Sequence, residues 1–222
     1  MIWSKLRSDR TSHRLRAVDD LQFPASGRQR LRNQFPHLSD DDIHLVESAT
    51  RQWFRLVVRH SDTKVTMPSV AVDVLWQEMT LHAQDYAAFC DAAFGSLLHH
   101  RPRSAASAGA VDVDRIPLLL ATLSHSRRDE DCGPTGLPLL FRVDQEVGVP
   151  QGNRYLADCG GRGECFPGAG LLCLQHLGGP GKRPRAPGIR GDLPFNDGRH
   201  GYAGGAGGGG GGELYGDGEG SN

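Results

Sequence analysis

The stretch Ser39-Asp40-Asp41-Asp42-Ile43-His44-Leu45-Val46-Glu47-Ser48-Ala49-Thr50-Arg51-Gln52-Trp53-Phe54-Arg55-Leu56-Val57-Val58-Arg59 decides the fold class. It opens with a hydroxyl able to cap free backbone N–H groups, and three carboxylates follow, facing the positive end of a helix dipole. Ile43, Val46, Ala49, Trp53, Phe54 and Val57 then recur at spacings of three and four, which is one apolar face of a helix. Outward from it the same period returns. Met67-Pro68-Ser69 breaks the chain and opens a second helix with Ser69 or Pro68 in its first turn, where a missing N–H costs nothing. Val72, Leu75, Trp76 and Met79 form its stripe. A third helix carries Tyr86, Phe89, Cys90, Ala93 and Phe94 on one face and stops at Gly95. Asp112 or Asp114 caps a fourth, with Pro117 in its first turns and Ile116, Leu119, Leu120 and Leu123 inside. Pro138-Leu139-Leu140-Phe141 opens a short one ending near Gly148, and another short helix over 27–34 offers Leu31 and Phe35. No stretch alternates convincingly as a strand. The expected fold is all-α, a small helical bundle.

The 222 residues and their composition bound the rest. Hydrophobic residues make up 38% and glycine supplies 30 positions, about twice its usual share, so the folded part is smaller than the chain. Residues 1–26 carry Lys5, Arg7, Arg10, Arg14 and Arg16 with little apolar periodicity, and read as a basic, loosely ordered segment. Residues 27–150 form the expected helical domain, with a linker over 103–111 inside it. Residues 151–177 are a Cys/Gly-rich appendix. Residues 178–222 end in Gly204–Gly212, broken by Ala206, and form an expected disordered tail that buries too little to offset its chain entropy. Twenty-five basic and 26 acidic side chains leave a net charge of -1, so no global field calls for nucleic acid or an anionic membrane. No run of about 18 apolar residues exists to span a bilayer. The N-terminus is too interrupted by charge to be a secretory signal. Five cysteines, an odd number, fit a reduced protein, and the cytoplasm is the expected compartment.

The blocks Met67-Pro68-Ser69-Val70-Ala71-Val72-Asp73-Val74-Leu75-Trp76-Gln77-Glu78, Tyr86-Ala87-Ala88-Phe89-Cys90, Ala93-Phe94-Gly95 and Leu98-His99-His100 resemble the glycine-rich domain-containing protein-like family. Its small bacterial members are similar along most of the chain. They share Pro36-His37-Leu38-Ser39, Arg51-Gln52-Trp53-Phe54, Leu137-Pro138-Leu139-Leu140-Phe141 and Asp158-Cys159-Gly160-Gly161 with Cys165. The resemblance covers about residues 35–177 and implies a fold and candidate positions, not a reaction. The family usually has histidine directly after the tryptophan, where this chain has Gln77. Asp73 stands four residues before that position, where a carboxylate could orient an imidazole; glutamine offers only hydrogen bonds.

Two groups of side chains carry whatever chemistry the chain has. Asp73, Trp76, Gln77, Tyr86 and Cys90 are either a polar pocket between two helices or a closed seam in which Asp73 and Gln77 satisfy buried aromatic donors. His99 and His100 follow; adjacent residues on a helix point about 100° apart, so the two do not make a metal site by themselves. Cys159, Cys165, Cys173 and His176 are candidate zinc ligands, with glycines that let the backbone turn around an ion, though their spacing departs from the usual zinc knuckle. No phosphate-binding lysine loop, nucleophile elbow or His-Glu-x-x-His pair occurs. Lys182-Arg183-Pro184-Arg185 and the basic N-terminus could touch nucleic acid, but lack interleaved aromatics and read as solvated. The expectation is a non-enzymatic helical interaction or scaffold protein with an unidentified protein partner and no membrane contact. Zinc held by the Cys159–His176 loop is the alternative.

Overall fold

The computed structural model describes residues 2–100, 115–159, 171–175 and 177. The chain divides into two units, Met1–Arg185 and Ala186–Asn222, and every described residue belongs to the first. Seven helices and two short strands are found among them: α1 (Ile2–Asp19), α2 (Ala25–Gln34), α3 (Asp40–Arg59), α4 (Val70–Leu81), α5 (Ala83–Phe94), α6 (Ile116–Asp129), α7 (Leu139–Glu146), β1 (Arg154–Leu156) and β2 (Leu171–Cys173). The expected all-α class is observed. The expected linker over 103–111, Cys165, His176 and the glycine-rich tail over 178–222 lie outside the described residues.

Helix α3 is the hub, and it packs against α1, α4, α5, α6 and α7. Its start is the one its sequence specifies. Ser39 Oγ accepts from the Asp42 amide at 3.1 Å, and the Ser39 amide donates to Asp42 Oδ2 at 2.9 Å. This reciprocal capping box satisfies two otherwise unpaired donors. The bonds from Ser39 hold the Asp42 carboxyl below the usual carboxylate range. Because α3 is surrounded, its buried set extends beyond one stripe to Leu56 and Val58, while Val57 is only half-buried. Even Glu47 is buried, where Arg28 of α2 reaches it at 2.7 Å.

Two expectations are corrected. Residues 2–19, read as loosely ordered, form α1. That helix lacks an amphipathic pattern, but it packs against α5 and α3 and buries Val18 completely. Tertiary contact, not local periodicity, holds it. The appendix, read as irregular, contains β1 and β2 paired in parallel, with Tyr155 opposite Leu172 and Leu156 opposite Cys173. Three-residue strands carry too little alternation to be read from sequence.

Helix α4 enters the core through a buried acid. Asp144 of α7 is 3% exposed and accepts from Ser69 Oγ (2.6 Å), the Val70 amide (2.7 Å) and the Ala71 amide (3.0 Å). It also accepts from the Asn153 amide at 3.0 Å. A carboxylate thus satisfies the free N–H groups of α4 and sits at the positive end of its dipole. Tyr155 ties β1 to the same corner by donating to the Pro68 carbonyl at 2.9 Å.

Candidate functional site

Helix α4 presents Asp73 and Trp76 three residues apart, and α5 presents Tyr86 and Cys90 four residues apart, so each pair shares one helical face. Gly95 ends α5 in the left-handed conformation, with φ of 76°. There its amide bonds to the Asp91 and Cys90 carbonyls. The chain after that turn brings Leu98 and His100 to the two helices.

There the polar groups meet. His100 Nε2 lies 2.9 Å from Asp73 Oδ1, the imidazole N–H donating to the carboxylate. The His100 ring stands edge-on to Trp76, with centroids 4.7 Å apart and planes at 88°. Trp76 Nε1 donates to the Tyr86 hydroxyl at 2.8 Å, and that hydroxyl donates to the Leu98 carbonyl at 2.6 Å. Burial pushes the Tyr86 phenol well above its ordinary pKa, with a smaller push from Cys90. On its far side Trp76 meets Trp53 (5.7 Å) and Phe54 (6.2 Å, planes at 88°). The His100 side chain is 5% exposed, the Asp73 side chain 13%, and Cys90 is completely buried.

Asp73, Trp76, Tyr86, Cys90 and His100 therefore come together, and Gln77 and His99 do not: both are exposed. Position 77 carries glutamine in this chain, and the carboxylate–imidazole pair forms between Asp73 and His100. The arrangement is hydrogen-bonded throughout. Tyr86 both donates and accepts, Trp76 has its acceptor, and the imidazole meets both the Asp73 carboxylate and the Trp76 indole. Its chemical capacity is that of a clamp, which fastens the segment after α5 onto the α4–α5 pair.

Of the four proposed zinc ligands, Cys159 and Cys173 are buried in the small strand element. Cys165 and His176 lie outside the described residues. Among the described residues no group of three or more His, Cys, Asp or Glu side chains is placed to hold a metal ion. No helix among them is long and apolar enough to cross a membrane.

Sequence reasoning passed over three features. Asp144 is one; its signal is a lone acid following Leu140 at helical spacing on an otherwise apolar face. A second is the contact of Ser26 Oγ with His82 Nε2 at 2.6 Å, which joins α2 to the α4–α5 junction across 56 residues. The third is a polar cleft of about 250 Å3 whose lining includes Asp19 of α1, Gln52, Arg55 and Arg59 of α3, Ser126 and Asp129 of α6, and Glu130 just after it. Nothing local in the sequence signals the last two.

Neither a curated protein nor a solved structure matches the chain. One family description does match, over residues 13–176, a span that starts within α1 and takes in α2 to α7 and both strands. The chain belongs to the UCP032817-like family.

Proposed function

We propose that the chain is a non-enzymatic helical interaction protein of the glycine-rich domain-like type that its central block resembles, working in the cytoplasm on a protein partner. One observation carries this reading. Among the side chains with the best chemical credentials, Tyr86 and Cys90 are buried, and the half-buried Asp73 and His100 are engaged with each other, while Tyr86 is engaged with Trp76 and the Leu98 carbonyl. A catalytic group must instead reach the atom it transfers a proton to or attacks. The surface offers large apolar side chains for contact: Leu81 is 71% exposed and Leu97 is 50% exposed. Such residues at a surface are ordinary singly, so the partner has to be shown. A photo-crosslinker placed at position 81 or 97 of the full chain should capture one reproducible protein. Leu81→Glu or Leu97→Glu should abolish that capture while leaving the thermal melt unchanged. Rapid, selective alkylation of Cys90 in the native protein would overturn the reading, because it requires an open site at the clamp.

A second reading is zinc held by Cys159, Cys165, Cys173 and His176; Cys159, three residues after β1, and Cys173, the last residue of β2, are both buried. Elemental analysis of protein purified without a histidine tag tests it. Near-stoichiometric zinc supports it, and zinc near zero ends it.

A further inference from the structure

The cleft between α3 and α6 is lined by charged side chains around a buried hydroxyl. Its volume, about 250 Å3, lies just below the roughly 300–1,000 Å3 of pockets for drug-sized molecules, which suits a small metabolite. Ser126 lines it, is 2% exposed, and has no hydrogen-bond partner for its hydroxyl. That is unlike other hydroxyls on the helices of this chain. Ser48, Thr50 and Thr122 each donate to the carbonyl one turn earlier, at 2.8–2.9 Å. Leaving a buried hydroxyl unpaired costs about 1–3 kcal/mol, so a group from outside the chain is favoured there.

The charges around it are opposed in pairs and not fully engaged. Arg55 is taken up by Asp19, which also lines the cleft, with Nε at 2.7 Å and Nη2 at 2.6 Å from the same carboxylate oxygen. Arg59 approaches Asp129 only to 3.5 Å, which leaves most of its five donors open. Asp129 also faces His60 Nε2, at 3.2 Å from each carboxylate oxygen. Glu130 accepts from the Leu139 amide at 3.1 Å, and burial raises its pKa, which favours the neutral acid unless a cation joins it. A ligand with a single charge would unbalance this lining. One that carries both signs meets a partner for each.

We propose that this cleft binds a small zwitterion of amino-acid size, its carboxylate received by Arg59, its ammonium by Asp129 and Glu130, with the Ser126 hydroxyl completing the contacts. Guanidiniums match carboxylates as paired donors, and the carboxyl groups opposite them supply the acceptors that an ammonium needs.

Thermal-shift and calorimetric titration of the full chain with glycine, L-alanine, L-leucine, L-glutamate and L-lysine tests this. At least one should bind saturably. Its des-amino and decarboxylated analogues (propionate and ethylamine in the case of alanine) should bind about tenfold more weakly or worse, since each loses one charged contact. Arg59→Gln should reduce affinity about tenfold and Ser126→Ala several-fold. If Arg59→Gln does not fold, Arg59→Lys, which keeps the charge but not the paired donors, should still weaken binding. Three results would each overturn the proposal. They are no saturable binding by any of the five, a des-amino acid that binds as well as its parent, or affinity unchanged in both the Arg59 and Ser126 variants.

Discussion

At the scale of single residues, Asp144 and Tyr86 show how much one buried polar group can hold. Asp144 joins α7 to the first turn of α4 through the Ser69 hydroxyl and two backbone amides, and to β1 through Asn153. Asp144→Ala leaves those donors buried without an acceptor, and urea denaturation should show a loss of about 3 kcal/mol or more. Tyr86→Phe keeps the ring and removes the hydroxyl between Trp76 and Leu98, at a cost of about 1–3 kcal/mol by the same measurement. Gln77→His is the instructive contrast. It places an imidazole at an exposed position, and stability should change by no more than about 0.5 kcal/mol. His125 gives a pH dependence. Its ring stacks on His60 at 3.9 Å with Nδ1 unpartnered, and burial, helped by His60 and Arg128, lowers its pKa. The folded state therefore disfavours the charged imidazole. This contribution is fully present above the ordinary value of 6.5 and is lost as pH falls below it toward the depressed folded value. Thermal melts of His125→Gln should fall less steeply than wild type as pH is lowered below 6.5.

At the scale of elements, helix ends were more legible than helix partners. The Ser39 cap and the Gly95 stop lie where the sequence marks them, whereas Ser69, expected with Pro68 in the first turn of α4, stands just before it as its cap and accepts from the Val72 amide at 3.1 Å. Each is local: a side chain or a missing Cβ acts on backbone within one turn. Gly95 also lets α1 come close, since a Cβ there would lie 2.7 Å from the Arg14 guanidinium. Gly95→Ala should cost about 1–2 kcal/mol from its positive φ alone, read as a lower melting temperature. Helix α1 was illegible for the opposite reason. Its apolar residues do not line one face, and only packing on α5 and α3 makes it an ordered element.

At the scale of the whole molecule, the described residues close around α3, with Trp53, Phe54 and Trp76 at the centre. The sequence by itself determined the all-α class, the helices from 25 to 94, the apolar stripes and the ends at Ser39 and Gly95, but not the start of α6, where Arg115 rather than Asp112 or Asp114 is the N-cap residue. Periodicity and capping act over three or four residues and are written directly in the order of side chains. It also named five of the clamp residues, because an aspartate, aromatics, a cysteine and a histidine among apolar stripes stand out by type. Only the tertiary structure decided which imidazole Asp73 meets: His100, 27 residues away, rather than a neighbour on its own helix. It likewise decided that Gln77 faces solvent, that Asp144 caps a helix 75 residues upstream, and that Arg59 and Ser126 share one cleft. Those pairings arise when separate helices pack, and helical spacing specifies which face is apolar without specifying which face it meets.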